Sequence, residues 1–155
     1  GIDSQQLYQD TIYHMETSVP QQLQSFSDIM EGILDEEEKI ILREIGINGK
    51  GRFETTPELY CLRNSSIFGA SSLLYGDTMA KFAEQEQCDM LILPSSICEV
   101  LLLPDDGSRN YGELQDMVKT INQTEVSREE LLSNSIYKYD RMAKKISIAY
   151  QGDDL

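Results

Sequence analysis

The hydropathy pattern turns on two short apolar runs, Met90–Leu93 and Val100–Leu103, each stopped by a proline and separated by the polar stretch Pro94–Glu99. Neither run alternates. That is the mark of strands covered on both faces, so both belong in the middle of a sheet. The stretch between them is too short for a parallel crossover, and the two should pair antiparallel. Upstream, Leu59–Leu62 and Gly69–Tyr75 predict two further strands with Asn64-Ser65-Ser66 as their turn. Asp77 then caps a short helix carrying Met79, Phe82 and Ala83 inward, and Cys88-Asp89 returns the chain to the sheet.

Beyond the second run, Asp105-Asp106-Gly107 is a turn signal. Leu114, Met117, Val118 and Ile121 mark the inner face of a helix from about Tyr111 to Gln123. Ser127 with Glu130 forms a capping box for a short helix through Leu132. Ile136–Tyr139 and Lys145–Ala149 alternate around Asp140–Lys144, which predicts a final hairpin with one wet face. At the other end, Ile2–Met15 reads as a helix stopped by Pro20. Leu23, Phe26, Ile29, Met30, Ile33 and Leu34 read as a second helix running into the acidic stretch Asp35–Glu38. Ile40–Ile45 fits a helix or a strand, and the Gly-rich stretch Gly46–Gly51 breaks either.

The expected fold is α+β. A mostly antiparallel sheet with helices packed on it follows an N-terminal helical segment, in the chain order β-β-α-β-β-α-α-β-β. This divides the chain into a helical segment and linker over 1–52, an α+β domain over 53–150, and a frayed tail over 151–155.

Composition narrows the functional classes. At 155 residues with 40% hydrophobic content, the chain can fill one core but not comfortably two. Thirteen Lys and Arg stand against 27 Asp and Glu, a formal net charge of -14. Such a charge repels a phosphate backbone or an anionic bilayer at long range, so neither nucleic acid nor membrane is expected as a partner. Cys61, Cys88 and Cys98 are odd in number and lack a C-x-x-C pair. That argues against a disulfide framework, a redox motif or a zinc site, and fits the reducing cytoplasm. No apolar run approaches the roughly 18 to 20 residues of a membrane span. Gly1 reads as the remnant of a cleaved tag, so the lack of a leader says nothing about the full-length protein. The sequons at Asn64 and Asn122 carry little weight without a secretory signal.

The sharpest catalytic idea lies in the hinge between the apolar runs, where Ser95, Ser96 and Cys98 place hydroxyl and thiol nucleophiles beside Glu99. A thiolate needs a base or a cation, and the sole histidine, His14, lies in the N-terminal segment. The plainer expectation is that the serines close the hinge while Cys98 packs as a small hydrophobe. No metal or cofactor is expected. One histidine with dispersed cysteines cannot build a zinc site, and the loop Asp105–Asn110 lacks the sixth-position Gly and twelfth-position Glu of a calcium loop. Gly46–Gly51 lacks phosphate-loop spacing. Tyr137, Tyr139, Asp140 and Arg141 remain as binding candidates. Alternation sends both tyrosines to one face, to pack in a core or to present a surface, while Arg141 is available to a carboxylate.

Four segments in order, L-Y-C-L-R-N at Leu59–Asn64, F-G-A-S-S-L-L-Y at Phe68–Tyr75, I-L-P-S-S-I-C-E-V-L-L-L-P-D at Ile92–Asp105 and I-Y-K-Y-D-R at Ile136–Arg141, resemble an uncharacterised domain family of gut Firmicutes. The likeness spans roughly Pro57 to Ile148, and this chain looks like the C-terminal part of a longer member. The family pattern tends to have His where this chain has Cys98, which weakens any mechanism built on a histidine there. The resemblance implies no activity, because the family has none assigned.

Two functional readings follow. The leading one is a non-catalytic intracellular domain that binds an unknown protein or senses a small ligand. The alternative is a hydrolase using Ser95, Ser96 or Cys98 with Glu99. They separate on whether those side chains share a cleft with Arg141 or His14.

Overall fold

The computed structural model describes residues 1–33, 59–94 and 96–152. Asp35–Glu38, Ile40–Ile45, Gly46–Gly51 and Ser95, all considered above, lie outside the described residues. In chain order come α1 (Ser4–Ser18), β1 (Gln21–Ser25), α2 (Phe26–Ile33), β2 (Tyr60–Asn64), a 3-10 helix (Gly69–Leu74) and α3 (Thr78–Glu86). After these follow β3 (Asp89–Leu93), β4 (Val100–Asp105), α4 (Tyr111–Thr124), β5 (Ile136–Asp140) and β6 (Lys145–Tyr150). The strands form one six-stranded sheet in the order β1-β2-β4-β3-β5-β6. Every neighbouring pair is antiparallel.

The two apolar runs are the centre of this α+β fold. β3 and β4 pair from Asp89 opposite Asp105 to Leu93 opposite Leu101. Because successive side chains point to opposite faces, β3 feeds two cores at once. Met90 and Ile92 join Leu62, Val100, Leu102 and Tyr139 beneath Met79, Phe82 and Ala83 of α3, as expected for that helix. Leu91 and Leu93 join Leu103 and Ile136 beneath Val118 of α4. Burying each such side chain contributes ~1.5–3 kcal/mol, which is why the non-alternating runs take the middle.

Five local expectations give way. Leu23 belongs to a strand, not to the second helix: β1 pairs along its length with β2, Leu23 opposite Leu62. Pairing with β2 holds Leu23 extended, and a cap sets the boundary. Ser25 Oγ accepts from the Asp28 N–H at 3.0 Å, so the helix begins at Phe26. The segment before residue 53 thus supplies a strand as well as helices. Gly69–Leu74 is a 3-10 helix rather than a strand, because both edges of β2 are occupied by β1 and β4. A Cβ at Gly69 would lie 1.9 Å from the Cys98 carbonyl oxygen, so only glycine lets the two backbones meet.

Ser127 and Glu130 make a single turn, not a helix: the Glu130 N–H donates to the Ser127 carbonyl at 3.1 Å and the Ser127 hydroxyl to Glu130 Oε2 at 2.9 Å. On α4 the buried stripe is Gln115, Val118 and Asn122, and Met117 faces out. Asn110 caps this helix, its Oδ1 accepting from Gly112 and Glu113 N–H at 3.0 and 3.4 Å. The hairpin stands as expected, Tyr137 opposite Ile148 and Tyr139 opposite Ile146. Gly152, expected to fray, is buried and donates its N–H to Ser135 Oγ at 2.9 Å. Both sequon asparagines, Asn64 and Asn122, are buried.

Candidate functional site

The hinge between β3 and β4 is pinned from both sides by backbone bonds. Ala70 N–H donates to the Ile97 carbonyl at 3.0 Å, Ile97 N–H to Glu130 at 2.8 Å and Ser133 N–H to Pro94 at 3.1 Å. Ser96 bridges to Leu131, and its Oγ accepts from the Cys98 N–H at 2.9 Å, a serine turn. Cys98 is half-buried rather than packed away, and its Sγ donates to Glu130 Oε1 at 3.9 Å. Glu99 turns elsewhere: its Oε2 accepts from the Cys61 thiol at 3.1 Å. Burial, and then the Glu99 carboxylate, push Cys61 up to about 12, so the buried thiol of this domain is Cys61 rather than Cys98.

Neither His14 nor Arg141 joins the hinge. The 3-10 helix begins at Gly69 against Cys98, while Tyr75, just past its end, donates its hydroxyl to the Val19 carbonyl at 2.7 Å, next to α1, which carries His14. The His14 ring meets Ser18 Oγ at 3.4 Å within its own helix. Arg141 lies at the far end of β3, where its N–H donates to Asp89 Oδ1 at 2.9 Å and its guanidinium to Glu84 Oε2 at 3.0 Å. A five-residue strand places Asp89 ~13 Å from the hinge end of β3. Asp140 shapes the hairpin turn through the Ala143 N–H at 2.6 Å. Tyr137 and Tyr139 share the core face with α3, as packing predicts, and burial raises the Tyr139 hydroxyl.

That far end of the sheet carries a charged network. Lys138 donates to Asp89 Oδ2 at 2.9 Å and to Asp105 Oδ2 at 3.0 Å, and the two carboxylates raise its pKa, Asp89 more than Asp105. Asp105 has a side chain 1% exposed. Burial would raise its pKa, but the Tyr111 hydroxyl at 2.6 Å, Lys138 and the Gly107 N–H at 3.1 Å outweigh it and hold it low. Asp89 is held low by the Arg141 N–H and then by Lys138. All its groups find partners within the fold, so the network braces the ends of β3, β4 and β5. Among the described residues no three His, Cys, Asp or Glu gather to hold a metal. No helix among them is long and apolar enough to cross a membrane.

Open space lies at the opposite edge. A cleft of about 560 Å³ is lined by Glu16, Pro20, Gln21, Tyr75, Gly76, Asp77 and Thr78. Gln21 is its hub: Nε2 donates to the Ser72 and Tyr75 carbonyls, each at 2.5 Å, and Oε1 accepts from the Thr78 hydroxyl. Glu16 Oε1 accepts from the Gly76 N–H at 2.9 Å. A second cleft of about 420 Å³ adjoins β1, floored by Leu23 and the edge-to-face pair Tyr60 and Phe82, with Gln24, Asp28 and Gln85 at its rim. Sequence reasoning missed this region because Gln21 has no motif around it. With Leu23 the one apolar residue of Gln21–Ser25, the alternating burial of this strand leaves no hydropathy signal in the sequence.

The model of a family of unknown function, DUF5688, matches residues 1–141. The chain belongs to that family. The match takes in the N-terminal helix and β1 as well as the four segments that carried the resemblance, so the cleft at Gln21 lies within the family's shared region. No curated protein and no solved structure matches the chain.

Proposed function

We propose that this is a non-catalytic ligand-sensing domain whose ligand enters the cleft between the end of α1, the start of β1 and the Tyr75–Thr78 loop. The observation that carries this reading is how α1 is attached. No residue of α1 is buried, and the described bonds from its end to the rest of the domain, Glu16 to Gly76 N–H and Val19 carbonyl to the Tyr75 hydroxyl, lie at or beside this cleft. A molecule that occupies the cleft competes with or reinforces those bonds, and so sets how firmly α1 is held. Glu16 and Asp77 on the walls suit a small polar ligand whose ammonium or guanidinium group would compete with Lys81, which pairs with Asp77 at 2.9 Å. That Glu99, His14 and Arg141 all turn away from the Ser96 and Cys98 pair supports binding over catalysis.

The test is a thermal-shift screen of free arginine, ornithine, putrescine and spermidine, followed by hydrogen exchange. Binding should slow exchange in α1, and Glu16→Gln with Asp77→Asn should abolish it. A failure of all four amines, together with turnover of an activated ester that Cys98→Ala or Ser96→Ala removes, would replace this reading with the hydrolase.

A further inference from the structure

Strand β6 closes the sheet opposite the cleft, and among the described residues it is paired on one side only, with β5. An open edge invites another strand, and proteins usually guard it with proline, lysines or other charges, a short strand or a central bulge. Of these β6 has only Lys145, at its first residue. Lys145–Tyr150 contains no proline, its irregularity lies at the Tyr150 end, and Ile146 and Ile148 are 38% and 53% exposed. Both isoleucines stand opposite Tyr139 and Tyr137, so they extend the apolar face of β5 into the open, with Met142 of the turn 80% exposed beside them. The opposite edge strand, β1, carries Gln21, Gln22 and Gln24 instead.

Charge says what belongs there. On a chain of net charge -14, four of the 13 Lys and Arg fall between Lys138 and Lys145, with Asp140 the lone acid among them. Lys138 is neutralised by Asp89 and Asp105, and Arg141 by Glu84. Lys144 and Lys145 are exposed where β6 begins. A guest strand with carboxylates at its C-terminal end is complementary to this patch, and it need not carry the net -14 that a second copy would add.

We infer that β6 is a docking edge for an extended segment of a partner protein that alternates apolar residues and carries carboxylates at one end. The guest adds as a seventh strand, antiparallel like every pair in this sheet, so its C-terminal end lies beside Lys144 and Lys145. Its apolar side chains continue the face begun by Ile146 and Ile148.

The experiment uses the full chain and two labelled octapeptides, both alternating Val and Thr, one ending in two glutamates and the other in two lysines. Fluorescence anisotropy should show the glutamate peptide binding about tenfold more tightly, weakening as salt rises. Hydrogen exchange should slow in β6 on binding. The double variant Lys144→Glu, Lys145→Glu should reverse the preference, a result that misfolding cannot produce. Equal binding of both peptides, no binding, or binding without protection of β6 would overturn the proposal. So would a concentration-dependent dimer that Ile148→Asn dissolves, which would give the edge to a second copy.

Discussion

The two edges of this sheet are built on opposite plans. β1 is polar and, besides its full-length pairing with β2, is held by side chains reaching across more than fifty positions of sequence, with Gln21 bonded to the Ser72 and Tyr75 carbonyls and Tyr75 to Val19. β6 is held by its hairpin partner, by the Asp140 turn and by Gly152 anchored to Ser135, all close in sequence. The first edge is specified by a few long-range polar bonds around a cleft, and the second by local alternation that leaves apolar side chains in water. Loss of one bond should therefore damage the first, and side-chain changes should pass almost unnoticed in the second.

Gln21→Ala is the most damaging test of that contrast. It strands two carbonyls and the Thr78 hydroxyl in a half-buried site, and should cost about 3 kcal/mol in urea unfolding while loosening α1. A loss under about 1 kcal/mol would mean the clamp is ornamental. Gly76→Ala comes next, at about 2 kcal/mol, since φ is +69° and the new Cβ would fall 2.5 Å from Gln21 Oε1. A neutral result would show that Gln21 can swing aside without loss.

Between the edges, the charged network sets a pH limit of smaller size. Asp89 and Asp105 have folded pKa values held below their unfolded ones, so their stabilisation is present above about pH 4 and is lost as pH falls through the folded values. Asp105→Asn should flatten this acid-side slope of the unfolding midpoint, and an unchanged slope would place the acid sensitivity elsewhere. Thiol chemistry gives a further check: iodoacetamide at neutral pH should modify half-buried Cys98 well before Cys61, whose thiol is pushed up to about 12. Mass spectrometry finding the reverse order would mean the β2–β4 contact opens readily. Ile148→Ser, on the open edge, should change stability by no more than about 0.5 kcal/mol, and a larger loss would show that β6 is already packed against something.

What the sequence determined by itself is the part of the fold where signal and cause are local. The non-alternating runs of β3 and β4 had to be central because each residue needed cover, and a short hinge left antiparallel pairing as the only connection. The final hairpin, the inward face of α3 and the span of α4 follow from periodicity and turn residues in the same way. Tertiary structure alone decided the rest. Leu23 satisfies either a helical or an extended period, and β2 on the far side of the undescribed residues settled it. Gly69–Tyr75 looked like a strand until both sides of β2 were taken. Glu99 sat beside Cys98 in sequence yet turned to Cys61, and Gln21, with no motif around it, became the hub of the cleft. Hydrophobic periodicity records which residues must leave water, whereas a hydrogen bond depends on which backbone happens to arrive within 3 Å, and that is known only once the strands are assembled.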